Sequence, residues 1–354
     1  MATGDRTIEV CIAGPGFGEA VLVIIGGKFV IGIDSCVSFV QRGPSGKTFL
    51  DEKLEKLDEQ STFFWILTHF HSDHFQSFSS ILNQFGDKLK SVFVPLDYTN
   101  ADITLNLAAH EAKVSGDSDA AYHLARGEYK RIRRLLDSDD LQHLYIAGVG
   151  KQTLFNAQLE LADGSLIPLE VTVHGLQRSM LNDVLGREIP LAVSAKTGTA
   201  GSRMAANEGS YIIHVRCGKF EGLFLGDAPS ARTMNVLSLR KVCDSEVLVL
   251  KVAHHGSDDG TSVSLLRSLC ETTTSSGENR RYALIAPFRS NGLPQKKTIE
   301  LLKEHSFDIR VSGGKNSEDE RNRISKDYEL ATNVSINEAT GPRNDIVTLR
   351  VTDF

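Results

Sequence analysis

Residues 63–74 read FFWILTHFHSDH, and this stretch says most about the fold of the chain. Its first five residues are continuously apolar and partly aromatic, which is typical of a short strand buried on both faces. The ligand-type residues that follow the apolar run are His69, His71, Asp73 and His74. The motif therefore begins where a buried strand ends, and in α/β proteins the loops at that edge of the sheet carry ligand-binding side chains.

This spacing predicts metal binding. His69 and His71, two residues apart, can converge on one ion, while Asp73 and His74 can reach a second ion nearby. Imidazole together with carboxylate is the ligand combination of zinc, manganese and non-haem iron. Any one of these histidines alone would be an ordinary polar loop residue, but four such residues in six positions behind a buried strand indicate a metal site.

The His-x-His-x-Asp-His pattern after an apolar strand resembles the metal signature of the metallo-β-lactamase fold. The resemblance implies an α/β protein, a four-layer αββα sandwich that holds its metal ions at strand ends. It also implies three further ligands along the chain: a lone histidine, an aspartate that bridges two metals, and a final histidine.

The candidate for the lone histidine is His174, at the end of residues 169–175, LEVTVHG. The alternating pattern before it predicts a strand. A histidine at a strand end is also a common polar cap, so the ligand role depends on position alone. Its competitors are His110, His123 and His143, which lie in a region with a helical pattern.

The candidate for the bridging ligand is Asp227, in residues 222–229, GLFLGDAP. An apolar strand ends directly before it, and Gly226 permits a tight turn. The two oxygens of a carboxylate can bind two cations and so lower their mutual repulsion. An ordinary turn aspartate is the alternative, and the histidine motif upstream favours the bridging role.

The final histidine lies in residues 246–257, EVLVLKVAHHGS, where a buried strand ends in His254 and His255. Adjacent side chains point in different directions, so one of the two would bind the second metal and the other would contact the substrate. Spacing leaves that choice open. Our working assignment makes His255 the ligand and makes His254, together with Asp73, the catalytic pair.

The Leu-Gly-Asp and His-His-Gly-Ser runs together resemble a narrower branch of this fold, the soluble domain of competence-type DNA-uptake proteins and its stand-alone relatives. The N-terminal part agrees with that branch, because a glycine-rich loop at residues 14–18 precedes two apolar strands and Asp34. The resemblance implies that Asp34 is structural and ties this opening hairpin to the metal loop.

Composition is that of an ordinary globular protein, with 354 residues of which 41% are hydrophobic and 24% are charged. A sandwich of this type can use roughly 220 or more residues as one unit, with room for an insertion. We therefore expect a single domain over residues 1–354. Between about residues 97 and 150, helical spacing interrupts the strand rhythm, which predicts a helical insertion.

The five cysteines are widely spaced and mostly in apolar context, as in a reducing cytosol. The chain shows neither a signal-peptide pattern nor an apolar run long enough to cross a bilayer, so we expect a cytoplasmic protein without membrane association.

The net charge of −6 argues against tight binding of long duplex DNA through many phosphates. Assembly into a homo-oligomer, or with a protein encoded in the same operon, stays open.

The ligand set predicts a hydrolase with two divalent cations, zinc first and manganese or iron as alternatives. Such a centre makes a metal-bound hydroxide near neutral pH, Asp73 would orient the water and pass on a proton, and His254 would stabilise an oxyanion or phosphate oxygen. The branch resemblance implies a phosphodiesterase or nuclease acting on nucleic acid or a nucleotide. The alternatives are a hydrolase of lactams, lactones or thioesters, and a non-catalytic member of the fold that binds a nucleotide or a protein.

Overall fold

The computed structural model describes the following residues: 7–13, 19–36, 49–57, 61–69, 71–95, 127–128, 130–132, 134–135, 145–148, 150–161, 164–175, 207–238, 246–271, 280–288, 292–312 and 346–352. The strands within them are β1 (Thr7–Ala13), β2 (Ala20–Ile25), β3 (Phe29–Ile33), β4 (Thr62–Ile66), β5 (Leu89–Pro95), β6 (Tyr145–Gly148), β7 (Lys151–Glu160), β8 (Leu166–His174), β9 (Ile212–Cys217), β10 (Phe220–Phe224), β11 (Val247–Lys251), β12 (Arg280–Ile285), β13 (Asp308–Val311) and β14 (Ile346–Thr352). The helices within them are α1 (Phe49–Leu54), α2 (Ser72–Phe75), α3 (Phe78–Phe85), α4 (Ser230–Ser238), α5 (Val263–Glu271) and α6 (Lys296–Glu304).

The strands form two seven-stranded sheets. The first sheet has the order β14-β1-β2-β3-β4-β5-β6, and the second has the order β13-β12-β11-β10-β9-β8-β7. Each sheet mixes antiparallel hairpins with a parallel part, which comprises β3 to β6 in the first sheet and β10 to β13 in the second. The chain is thus an α/β protein with two mixed sheets.

Three hydrophobic cores separate four layers. Strand β2 shows how one element serves two cores, because Leu22 and Ile24 pack towards α1 and α3 while Val21 and Val23 face the second sheet. Strand β11 does the same on the other side, where Leu248 packs with residues of α5 and α6. Both strands are buried on both faces, which explains why they read as continuous apolar runs. The αββα sandwich expected from the resemblance is confirmed.

The two parallel parts bring the site residues to one edge. The carboxyl ends of β3 and β4 in the first sheet lead to Asp34 and His69, and those of β10 and β11 in the second lead to Asp227 and His255. The backbone N–H of Tyr211 donates to the carbonyl of Thr68 at 2.9 Å, which joins the sheets at this edge. Residues far apart in the sequence therefore meet over the ends of parallel strands.

The predicted helical insertion, at about residues 97–150, lies largely outside the described residues. Within it, the described residues of 127–135 are helical. Ser79 donates its backbone N–H and its hydroxyl to the buried carboxylate of Glu128, at 2.7 and 2.8 Å, which holds this helical stretch against α3. Residues 145–148 form β6, so the end of the predicted range belongs to the first sheet. His110, His123 and His143 lie outside the described residues.

In the described parts of the chain, every helix falls short of the length and apolar character that a bilayer-spanning helix requires.

Candidate metal centre

His74, on the short helix α2, is oriented by an aspartate from the neighbouring strand. Its Nδ1 lies 2.8 Å from Oδ2 of Asp34, which is buried and also accepts the backbone N–H of Thr68 at 2.7 Å. A carboxylate can only accept, so His74 carries its proton on Nδ1. Nε2 then points into the centre, 3.3 Å from Oδ1 of Asp227. Asp34 thus links the opening hairpin to the metal loop, as the resemblance implied.

His255 is oriented in the same way from the second sheet. Its Nδ1 donates to the carbonyl of Ala286, which directly follows β12, at 2.9 Å. Its Nε2 lies 3.1 Å from Oδ2 of Asp73. Because a carbonyl accepts only, the proton on Nδ1 of His255 points to Ala286, and Nε2 faces the carboxylate of Asp73.

His69 is likewise oriented by a hydrogen bond at Nδ1. The hydroxyl of Thr68 donates to Asp34 at 2.8 Å, so it accepts the Nδ1 proton of His69, at 3.0 Å. Nε2 of His69 lies 3.7 Å from Oδ2 of Asp227, and burial together with the neighbouring rings of His74 and His71 lowers its pKa well below the usual value. His69 is therefore neutral, which is the form that binds a metal.

The Nε2 atoms of all three rings therefore face carboxylate oxygens. The buried Nε2 atoms of His69 and His74, and Oδ1 of Asp227, make no hydrogen bond within the described part of the chain. Burial opposes ionisation of Asp227, but the imidazoles of His74 and His254 outweigh it and hold the pKa of that carboxyl well below its usual range. A buried arrangement of this kind is stable with positive charge between the groups, supplied by protons or by a cation. The residues present fit a metal centre.

Two clusters of ligand atoms stand out among the described residues. One consists of His69, His71 and Asp227, and the other of Glu19, His74 and His255. The oxygens of Glu19 lie 3.6 and 3.7 Å from the Nδ1 atoms of the two histidines, away from the Nε2 side. Within this cluster, Glu19 lies on the Nδ1 side of the two rings, and Asp73 lies on their Nε2 side.

Asp227 belongs to the first cluster and also faces the second. Its Oδ1 lies 3.3 Å from Nε2 of His74, and its Oδ2 lies 3.7 Å from Nε2 of His69. The backbone N–H of Asp227 donates to the hydroxyl of Ser210 at 2.9 Å, which holds the carboxylate over both clusters. Each oxygen can therefore serve a different cation, which is the arrangement that a bridging ligand needs.

His174 lies at the carboxyl end of β8, as predicted, and is buried. Nη2 of Arg232 donates to its backbone carbonyl at 3.1 Å. Neither cluster of ligand atoms found among the described residues includes it. Its role as a ligand stays a prediction.

The structure separates the positions of the two adjacent histidines. His255 is buried, whereas the side chain of His254 is 31% exposed, with Nε2 4.0 Å from Oδ2 of Asp227. The solvent-exposed side of the site, where His254 lies, is called its mouth. Nδ1 of His254 lies 3.3 Å from Oδ1 of Asp259. Burial alone would lower the pKa of His254, but Asp227 and the hydrogen bond to Asp259 raise it to about 9. This geometry agrees with the working assignment of His255 as ligand and His254 as the substrate-facing group.

Several supporting residues went unnoticed in the sequence. Thr68 and Ser210 hold His69 and Asp227, and Glu19 forms a buried ion pair with Lys251 beside His74 and His255. Among them, only Lys251 is unusual in the sequence, because it is the one charged residue in the otherwise apolar run 247–253. The hydroxyl-bearing residues are not unusual, since serine and threonine are common in every loop.

No protein-family model and no curated protein matches the chain. Among solved structures, the E377D mutant of CmlA beta-hydroxylase aligns with 99% of this chain and 55% of its own, at 11% identity and a TM-score of 0.44, so this chain spans about half of that one. Tm1679, described as a metal-dependent hydrolase of the beta-lactamase superfamily, aligns with 86% of this chain and 95% of its own, at 9% identity and a TM-score of 0.38. The metallo-beta-lactamase fold protein YhfI from Bacillus subtilis has the same coverages, at 13% identity and a TM-score of 0.37.

YhfI is described by the fold name that the histidine motif suggested. With identities of 13% or less and TM-scores below 0.5, these neighbours carry no information on what this chain binds or converts.

Proposed function

We propose that the protein is a hydrolase that works with two divalent cations, and that its substrate is a phosphodiester in nucleic acid or a nucleotide. The observation that carries the proposal is the inward orientation of three imidazole Nε2 atoms against two carboxylates, with each oxygen of Asp227 facing a different ring. The buried Nε2 atoms of His69 and His74 and Oδ1 of Asp227 also make no hydrogen bond within the described residues, whereas buried polar groups of a structural network are normally paired.

The residues divide into two ligand sets. His69, His71 and Asp227 would hold one cation, with His174 as a further candidate. Asp73, His74, Asp227 and His255 would hold the other. The donors are imidazole and carboxylate, which favours zinc and also accommodates manganese or iron.

When bound, two such cations supply an activated water at neutral pH and neutralise charge that develops on the attacked group. The chain's own contribution is orientation and proton transfer. Asp73, whose side chain is 14% exposed and hydrogen-bonded to His255, can orient a water at the mouth and later carry its proton. His254 lies on the other side of Asp227 and can donate to a substrate oxygen.

Two features support a phosphodiester as the substrate. The runs that end in Asp227 and in His254-His255 resemble the DNA-uptake branch of the fold, and His254 supplies a cationic donor at the mouth. The net charge of −6 favours nucleotides or short single strands over long duplexes, because an acidic protein gains little from many phosphate contacts.

The test combines metal analysis with a substrate panel. We expect about two metal ions per chain and hydrolysis of bis-p-nitrophenyl phosphate or short oligonucleotides. Asp227→Asn keeps the shape of the side chain but removes its charge, so it should lower kcat/KM at least about a hundredfold. The matched control is Glu300→Gln on α6, an exposed carboxylate paired with Lys296 at 3.6 Å, which should leave activity unchanged.

The same panel separates the alternatives. Turnover of a chromogenic cephalosporin, a lactone or a thioester, without any phosphodiester cleavage, would replace the proposed substrate class. A folded protein that takes up no metal would instead indicate the non-catalytic binding module.

A further inference from the structure

Lys251 is among the largest fully buried side chains in the described part of the chain, with 1% of its surface exposed. It is the last residue of β11, whose other four residues are Val and Leu. Its ammonium group forms an ion pair with the carboxylate of Glu19, which is also 1% exposed. A buried ion pair adds little net stability compared with apolar residues of the same size, so its presence here calls for another role.

The ammonium group of Lys251 also reaches the turn that carries the bridging aspartate. Nζ donates to the carbonyl of Gly226 at 3.1 Å, and the backbone N–H of His254 donates to the same oxygen at 3.0 Å. Gly226 directly precedes Asp227. Lys251 thereby fixes the position of that turn relative to the two histidines after β11.

Glu19 contacts the ligand sets from the opposite side. Its Oε1 lies 3.6 Å from Nδ1 of His74, and its Oε2 lies 3.7 Å from Nδ1 of His255. Its backbone N–H donates to the carbonyl of Asp73 at 2.9 Å. A negative charge on the Nδ1 side of both rings keeps the proton there and leaves Nε2 for a metal.

We propose that Lys251 and Glu19 are positioning residues for the metal centre. One buried ion pair holds the turn before Asp227, the rings of His74 and His255, and the backbone at Asp73 in a single arrangement. This inference builds on the metal centre of the proposed function and assigns a role to a pair that lies outside both ligand sets.

The test uses the full-length protein freed of metal and titrated with Co²⁺, whose visible absorption reports the number and geometry of its ligands. The variant is Lys251→Met with Glu19→Gln, which removes both charges together and so leaves no lone charge in the core. The control is Glu221→Gln, which removes the buried carboxylate 2.7 Å from His214 elsewhere in the second sheet. The thermal midpoint of each metal-free protein reports folding.

We expect the double variant to fold, to bind Co²⁺ about 10- to 100-fold more weakly than the parent, and to show a changed absorption spectrum. The control should match the parent in both affinity and spectrum. A folded double variant with the parent's affinity and spectrum would overturn the inference. Failure of the double variant to fold would overturn it too, because the pair would then serve the fold itself.

The outcome is independent of the substrate. If the parent binds Co²⁺ but cleaves no phosphodiester, the proposed function fails while the positioning role stands. If the parent binds Co²⁺ and cleaves phosphodiesters while the double variant retains its affinity and spectrum, only the positioning role fails. A parent protein that binds no Co²⁺ contradicts both.

Discussion

At the scale of single residues, the orientation of each imidazole depends on one outer hydrogen bond. Asp34, Ala286 and Thr68 each accept an Nδ1 proton, and the opposite nitrogen then faces the centre. Outer partners of this kind fix the tautomer and the ring orientation of metal-binding histidines. The exception is His254, whose partner Asp259 lies near the surface and holds a ring that faces the mouth.

Asp259→Asn tests whether the hydrogen bond to Asp259 orients the ring of His254. The change removes the charged acceptor of the His254 Nδ1 proton, so the ring loses its fixed direction and kcat/KM should fall about tenfold or more. Metal affinity should stay within about twofold of the parent, because Asp259 contacts neither ligand set. The measurement is steady-state kinetics on the best phosphodiester substrate, beside a metal titration.

The control for Asp259→Asn is its neighbour Asp258→Asn. The carboxylate of Asp258 accepts from the hydroxyl of Thr298, in the first turn of α6, at 3.3 Å. Its removal should leave kcat/KM unchanged. Equal losses in the two variants would mean that general loop disturbance, rather than the orientation of His254, sets the rate.

At the scale of elements, the turn after β10 is the most constrained connection to the site. Gly226 has a φ of 52°, in the left-handed region that glycine adopts at no steric cost. A Cβ at this position would overlap the hydroxyl of Ser210 and lie 2.9 Å from Cβ of Thr68. Those two residues hold Asp227 and His69 of the first cluster, and Asp227 also faces His74 of the second, so crowding at the turn acts on both.

Gly226→Ala should therefore reduce both stability and metal affinity. Gly27 provides a matched control, because its φ of 66° is similar but a Cβ there meets nothing within 4 Å. Gly27→Ala should cost about 1 kcal/mol for its backbone conformation alone. Gly226→Ala should cost about 1–3 kcal/mol more, from overpacking. Urea unfolding measures the difference, and equal costs would contradict the close packing around this turn.

At the scale of the whole molecule, the centre lies where the two sheets meet. His69, Asp73 and His74 follow strand β4 of the first sheet, whereas Asp227 and His255 follow strands β10 and β11 of the second. A cation held by ligands from both sides binds the folded chain and not the unfolded one. Metal binding should therefore stabilise the sandwich as a unit.

Removal of metal should lower the stability of the folded protein. A single site at a free metal concentration of about 100 Kd contributes about 2.7 kcal/mol, so a chelator should lower the thermal midpoint and added metal should restore it. Asp227→Asn should show a much smaller response to the chelator. A parent protein whose midpoint is the same with and without chelator would contradict a centre that spans both sheets.

Local patterns predicted buried strands and the ligand-type residues behind them, and the family resemblance predicted the sandwich. Continuous apolar runs identified β4, β10 and β11, since a strand buried on both faces has no polar alternation. The ligand-type residues that follow these strands were expected at one sheet edge, and Asp73, His74, Asp227 and His255 lie together there. The range of the predicted insertion also contains β6, which the sequence did not indicate because a strand of four residues carries little periodicity.

What the sequence by itself determined, then, was the buried strands and the ligand-type residues behind them, because burial and ligand chemistry depend on residue type and on spacing along the chain. Only the tertiary structure decided which of His254 and His255 turns inward, and that Glu19 and Lys251 pair beneath the site. Ring orientation depends on partners that are distant in the sequence. Ala286 is 31 residues from His255, and Asp34 is 40 residues from His74. The contacts of Asp34 and Ala286 arise only when neighbouring strands of one sheet pair, and the Glu19–Lys251 contact only when the two sheets pack, so no local pattern encodes them.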